Sequence, residues 1–405
     1  MPKSPAASIA PNLDVLIVGA GFAGLYMLHR ARQQGLRARV VEAADGVGGT
    51  WHHNRYPGAR VDIQSLEYSY GFDEALQQQW QWTERFAAQP ELLAYANHVA
   101  DRFGLRDGIQ LNTRVTGATW DEAAQCWQVA GRAADASAAV EHWQARFVVL
   151  ASGPLSTPNT PHFARLERFK GKVYHTAKWP RGKVDLSGLR VGVIGTGSSG
   201  VQVIPAIAPE VKTLTVFQRT ATYSVPAHNG PLDKRFEAEV KADYAGFRAR
   251  NRAMRNAFSS AFPPLNQAVM DATPAEREAQ FEARWQVGGV AFMGAFNDIL
   301  LNADANAVAA EFVRQKIRGT VRDPATAELL CPTHTIGCKR LCVDTGYYET
   351  FNRPNVALVD VSGKSGAGIE AFSETGVRAN GQDFELDAMV LATGFDALTG
   401  TVMGM

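Results

Sequence analysis

Cysteine is scarce in this sequence, with four in 405 residues, too few for a chain of this length to rest on a disulfide framework. A reducing cytoplasm is the expected setting. An excess of charge of either sign is also missing. The 41 Lys+Arg and 40 Asp+Glu leave a net charge of +1, which gives no reason to expect nucleic acid or an anionic membrane as partner. No protein partner is implied. Long apolar runs are lacking too: the nearest, Val287 to Leu301, is interrupted by Gly288, Gly289, Gly294, Asn297 and Asp298, so no membrane span is expected. The opening MPKSPAASIAPNLD has no continuous apolar stretch of the kind a secretory signal needs. What remains is 46% hydrophobic and 20% charged, ordinary for a globular chain, and long enough for roughly two to three domains.

The informative residues are glycines. Val15 to Val18 is an apolar run that enters Gly19-x-Gly21-x-x-Gly24, and much later in the chain Val191 to Ile194 enters Gly195-x-Gly197-x-x-Gly200. The spacing is that of a dinucleotide fingerprint. The first glycine makes the tight turn, the second lets backbone approach a pyrophosphate, and the third lets helix pack on strand. One copy is weak evidence; two suggest two dinucleotides. The fold class expected is therefore α/β, with two Rossmann-like dinucleotide-binding domains.

The residues at the end of each following strand bear on which dinucleotide. Glu42 ends the strand expected over Ala38 to Glu42, where an acidic side chain accepts hydrogen bonds from ribose hydroxyls, so FAD and NAD both qualify there. In the second copy that carboxylate is absent. Gln218-Arg219-Thr220 stands instead, with Arg219 spaced from Gly195 much as Glu42 is from Gly19. A guanidinium there suits a 2′-phosphate, which points to NADPH.

The stretch before the second fingerprint is more specific. Phe169, Gly171, His175 and Trp179-Pro180 fit FxGxxxHxxxWP, which resembles the fingerprint of Baeyer–Villiger monooxygenases. These flavin enzymes insert oxygen beside a ketone. The segment Gly46 to Tyr70 resembles the flavin-contacting region of the same family, with Gly48-Gly49 permitting close backbone approach, followed by Thr50 and Trp51. Flavin-dependent disulfide reductases carry CxxxxC after a comparable GG. Trp51, His52 and His53 stand here instead, which argues against dithiol chemistry. The segment Ile336 to Val361 resembles the family's stretch carrying a Lys-Arg pair, here Lys339-Arg340.

The resemblance implies the following roles. FAD is held by Gly19, Gly21, Gly24, Glu42, Gly49, Thr50, Trp51 and Asp62. NADPH is held by Gly195, Thr196, Gly197, Ser198, Ser199, Gly200, Arg219, Thr220 and Lys339. Arg340 is the catalytic arginine, paired with Asp62. NADPH reduces the flavin, oxygen gives a flavin C4a-peroxide, and a fixed cation keeps that peroxide anionic beside the ketone. Phe169, Gly171, His175, Trp179 and Pro180 are read as a linker that positions the domains. Turns of the ATG type mark domain crossings in this family, here FVVLASG (Phe147 to Gly153, read as a buried strand) and MVLATG (Met389 to Gly394). The expected domains are 1–153 with 392–405 for FAD, 154–232 with 331–391 for NADPH, and a helical insertion at 233–330.

Two other readings stay open. Related flavin monooxygenases that oxidise amines or sulfides also carry FxGxxxH, but usually with Tyr or Phe and then Lys or Arg in place of Trp179-Pro180. Members of the family also continue past the position of Met405, and that part supplies flavin-ring contacts, some of the substrate pocket and contacts to NADP. The chain then resembles a truncated member, with a nucleotide-binding chain or an uncoupled NADPH oxidase as the alternative. No metal is expected. Adjacent His52 and His53 are a poor ligand set, and Cys331, His334, Cys338 and Cys342 lack a recognised zinc spacing.

Overall fold

Side chains of the strand Leu13–Val18 alternate between faces. Val15 and Ile17 enter a core with Leu25, Leu28, Ala96 and Ala100, whereas Leu16 and Val18 enter another with Val115, Val129 and Trp143. A strand buried on both faces needs such an unbroken apolar run. It lies inside a six-stranded sheet ordered Ile109–Gln110, Ala38–Val41, Leu13–Val18, Val140–Leu150, Cys126–Ala133, Thr113–Asp121. The first four strands run parallel and the last two extend the sheet as an antiparallel meander. The helices Phe22–Gln33 and Gln89–Arg102 supply Leu25, Leu28, Ala96 and Ala100 to the first face.

The computed structural model describes residues 12–133, 135, 139–364, 366–397 and 400–401. They fall into two compact units, one within Met1–Asn54, Pro90–Thr160 and Phe395–Met405, the other within Arg55–Gln89 and Pro161–Gly394. The Ala-rich stretch Gly131 to Val140, whose composition suggests a turn, lies partly outside the described residues. One expectation in the first unit is corrected. Phe147 to Leu150 is strand but not buried: Phe147 is 57% and Leu150 47% exposed. The ladder to Cys126–Ala133 ends at Ala145, so the strand continues past it with one neighbour.

The second unit holds a five-stranded, all-parallel sheet ordered Val356–Asp360, Thr213–Gln218, Arg190–Ile194, Ala388–Leu391, Lys172–His175. The last of these corrects the linker reading, because Lys172–His175 is the sheet's edge strand. Phe384 to Leu391, whose apolar residues suggest a single strand of that sheet, divides between the sheet strand Ala388–Leu391 and a three-stranded antiparallel sheet, Ile369–Phe372, Gly376–Ala379, Gln382–Glu385. That small sheet packs Phe372 and Val377 against Phe169, Phe217 and Met389. Residues 233–330 are mainly helical, including Lys234–Ala242, Tyr244–Ala253, Pro274–Val287 and Ala303–Thr320. Thr273 and Glu276 form the capping box that Thr-Pro-Ala-Glu signals, with Pro274 at the first turn. Phe281, Phe292, Phe296 and Phe312 stack into a core there. Among the described residues, no helix is long and apolar enough to cross a membrane.

Candidate active site

The two fingerprints differ in what each glycine is for. Gly19 and Gly195 have φ of 105° and 107°, a turn that an L side chain resists, and a Cβ on Gly24 or Gly200 would collide with the carbonyl of Gly19 or Gly195. These four are required by the fold itself. The middle glycines are not. Gly21 and Gly197 have φ of −75° and −79°, open to any residue. A Cβ on Gly197 meets no atom within 4 Å, and one on Gly21 reaches Gly49 Cα only at an ordinary 3.6 Å. Each is the N-cap of its helix, and no side chain caps either end. Uncapped N–H groups suit an anion, and with open space at Gly197 and no clash at Gly21 both cradles fit a pyrophosphate.

Glu42 is buried beside the first cradle. Its Oε2 accepts from Ala20 N at 2.6 Å and its Oε1 from Ala44 N at 2.8 Å. Gly49, with φ 53°, packs its backbone on Gly21; a Cβ would sit 2.9 Å from Gly21 Cα. The short helix Thr50–His53 follows, with Trp51 buried and His52 Nε2 3.0 Å from Asp45 Oδ1.

At the second cradle, Thr196 Oγ1 donates to Thr220 O at 2.9 Å, tying the fingerprint turn to the end of the strand Thr213–Gln218. Arg219 and Thr220 are exposed there. Among the described residues neither Arg219 nor Lys339 makes an ion pair, which leaves both cations available to a phosphate. The FxGxxxHxxxWP residues make separate local contacts. A Cβ on Gly171 would strike the Phe169 ring and lie 2.6 Å from Asp387 O. Trp179 stacks on Tyr174 at 5.1 Å, and Pro180 is exposed. His175 Nδ1 accepts from Ala177 N at 3.1 Å, so its Nε2 carries the proton and faces Thr393 Oγ1 at 3.2 Å.

Arg340 and Asp62 are brought together within the second unit. Arg340 Nε and Nη2 donate to Asp62 Oδ2 at 2.9 and 2.6 Å. The Asp62 side chain is 18% exposed and that of Arg340 67%. Burial pulls the Arg340 pKa down, but the Asp62 charge and hydrogen bonds outweigh it and leave it above its ordinary value. Arg340 precedes the strand Cys342–Asp344, which pairs in parallel with Ser224–Pro226. Asp344 anchors that strand, accepting from Ser224 Oγ at 2.6 Å and from the N–H groups of Gly346 and Tyr347.

Burial pushes Asp344 up to about 6, against lowering by these hydrogen bonds. The folded state therefore holds its proton more tightly than the unfolded chain, and stability falls as pH rises from about 4 to 6. Two pKa units correspond to about 3 kcal/mol. Asp344→Asn is expected to flatten that slope in urea denaturation at stepped pH. An unchanged slope would show that another group titrates.

Cys331, His334, Cys338 and Cys342 have different surroundings. Cys342 Sγ lies 3.4 Å from Ser198 Oγ, Cys331 Sγ contacts Arg314 O, Cys338 is exposed, and His334 packs on Tyr223. Among the described residues, no group of three or more His, Cys, Asp or Glu could hold a metal. Sequence reasoning missed Tyr56 and Gln202. Tyr56 OH donates to Gln202 Oε1 at 2.8 Å, joining the loop before Asp62 to the second fingerprint helix. The Pro57-Gly58 turn is the one signal near them.

The model of the NAD(P)-binding Rossmann-like domain matches residues 17–77, and that of the L-lysine 6-monooxygenase/L-ornithine 5-monooxygenase family matches residues 72–273. The chain is 42% identical over 402 residues to a Baeyer-Villiger monooxygenase of Pseudooceanicola batsensis, covering 98% of this chain and 71% of that one. An oxidized steroid monooxygenase bound to NADP superposes with a TM-score of 0.92 at 50% identity, over 97% of this chain and 73% of that one. An OTEMO complex with FAD and NADP gives 0.92 at 37% identity, over 98% and 73%.

Proposed function

The chain belongs to the Baeyer–Villiger monooxygenases, and on that premise we propose that it inserts one oxygen atom of O2 beside a ketone carbonyl, giving an ester or lactone. Its cofactors are FAD and NADPH. The observation that carries the reading is the Asp62–Arg340 pair in a chain with two dinucleotide cradles.

FAD, when bound and reduced by NADPH, supplies the electrons and the oxygen-transfer chemistry. The first cradle, with Glu42, Gly49, Thr50 and Trp51, holds FAD. Gly195 to Gly200 takes the NADPH pyrophosphate at the helix N-terminus, and Arg219 with Lys339 takes the 2′-phosphate. Arg340 provides a charge that no working pH removes, for the negative charge that develops on the transferred oxygen and the carbonyl oxygen. Asp62 fixes its direction through one shared oxygen. His175 has Nδ1 committed to backbone and Nε2 facing Thr393 Oγ1, which supports a positioning role rather than proton transfer to substrate. The scarcity of cysteine supports a reducing setting such as the cytoplasm.

The test is the purified chain loaded with FAD, given NADPH, oxygen and a panel of cyclic, aromatic, steroidal and long-chain ketones, with amines and sulfides alongside. Ester or lactone by mass spectrometry is the expected product. N- or S-oxides alone would move the chain to heteroatom oxidation, and hydrogen peroxide alone would make it an uncoupled NADPH oxidase. Arg219→Ala is expected to weaken NADPH by about ten- to a hundred-fold, the worth of a charge-assisted bond to phosphate, and to leave NADH nearly unchanged. Equal loss of both coenzymes in a binding titration would remove Arg219 from the phosphate site.

A further inference from the structure

We propose that Gln202 is a positioning residue that ties the loop carrying Asp62 to the second fingerprint helix, so that NADP(H) on that helix steadies the Asp62–Arg340 pair. This rests on the reading that Gly195 to Gly200 takes NADPH.

Both ends of the Gln202 amide are committed to one loop. Its Oε1 accepts from Tyr56 OH at 2.8 Å, and its Nε2 donates to Arg60 O at 3.1 Å. The opposite amide orientation would set oxygen against the Arg60 carbonyl, so the two partners select one arrangement. Tyr56 is buried, and desolvation pushes its phenol up to about 12, so it remains a donor across the working range. Between these two contacts the loop lies on the helix itself. Gly58 has φ 81°, and a Cβ there would collide with Gln202 O and sit 3.0 Å from Ala206 Cβ. Asp62 follows two residues after Arg60.

The same helix, Ser198–Ile207, touches the strand that follows Arg340. Ser198 Oγ lies 3.4 Å from Cys342 Sγ, and Cys342 is two residues after Arg340. Ser198 and Gln202 are four apart and share a helix face. One turn of helix thus carries the phosphate cradle at its start, the Arg340 strand at Ser198, and the Asp62 loop at Gln202. An anion that orders the helix N-terminus orders both partners through these contacts, without touching either.

The experiment is hydrogen exchange followed by mass spectrometry on the FAD-loaded full chain, with and without NADP+, together with NADP+ titration. In the unmutated chain NADP+ is expected to slow exchange in peptides spanning 55–63 by about tenfold, the worth of roughly one net hydrogen bond. Gln202→Met should lose most of that protection while its NADP+ affinity stays within about threefold. Tyr56→Phe, which keeps the ring and removes only the hydroxyl, should lose part of it, and serves where Gln202→Met does not fold. Full protection in both variants would overturn the proposal. So would a parallel collapse of NADP+ affinity in Gln202→Met, which would make Gln202 a nucleotide contact. If the unmutated chain does not bind NADP+, the NADPH reading falls and the proposal with it. If the protection pattern holds and no ester forms, the proposal stands and ketone oxidation falls.

Discussion

Arg340→Ala is expected to bind FAD as the unmutated chain does and to consume NADPH at close to the same rate, while ester yield falls about 10²–10³-fold, the usual cost of removing a preorganised group from a developing oxyanion. Hydride transfer precedes any charge on the transferred oxygen, so the early half of the cycle depends less on the cation. Oxygen transfer builds that charge, and the Arg340 side chain, 67% exposed, holds its cation beside Asp62. Reducing equivalents that no longer reach the ketone should leave as hydrogen peroxide, matched to NADPH consumed. Asp62→Ala removes the partner that orients the cation and keeps the charge, so a loss of about tenfold is expected. Ester, peroxide and NADPH measured in one reaction decide it. Ester at the unmutated rate from Arg340→Ala would pass the role to Lys339 or another cation.

The fingerprints were legible because each is local: an apolar strand, a glycine spacing and a helix in one short stretch of chain. Their geometry follows from that spacing, down to the collision of a Gly200 Cβ with Gly195 O. The hydrogen-bonded Asp62–Arg340 pair lies 278 residues apart in sequence. No local pattern connects such residues, and only the family resemblance suggested them. The edge strand Lys172–His175 was missed for a related reason. It is four residues long with Lys172 and Val173 on the surface, and its partner Ala388–Leu391 stands at the far end of the same unit's sequence.

Gln202 shows the limit more sharply. In GSSGVQVIP it reads as a polar residue on an ordinary helix, and its phenol partner lies 146 residues upstream. The surroundings of Cys342 were equally hidden. Its neighbours Cys331, His334 and Cys338 crowd it in sequence, but the pairing of Cys342–Asp344 with Ser224–Pro226 turns its sulfur to Ser198. Phe147 failed on burial, since an apolar run is buried only as far as something packs on it, and the meander stops at Ala145.

Gly200→Ala and Gly197→Ala add the same methyl three residues apart and are expected to fail in different ways. At Gly200 the new Cβ strikes Gly195 O and lies 3.0 Å from Gly195 C. Those atoms are backbone in a turn with φ 107°, between the strand Arg190–Ile194 and its helix, and they have nowhere to move. The cost should appear in folding, about 1–3 kcal/mol of overpacking, read as a lower midpoint in urea with or without nucleotide. At Gly197 the methyl enters open space, on backbone at φ −79° and ψ −170° that any residue adopts. Stability should stay within about 0.5 kcal/mol, as at an unpacked surface site. NADPH affinity should fall about 10²-fold or more, close to 3 kcal/mol, because the methyl occupies the space through which pyrophosphate approaches the helix N–H groups. A Gly197→Ala chain that melts normally and still binds NADPH at unmutated affinity would mean that the pyrophosphate does not come down on this turn. The open cradle would then need another explanation, and the assignment of Ser198 and Ser199 to the phosphates would go with it.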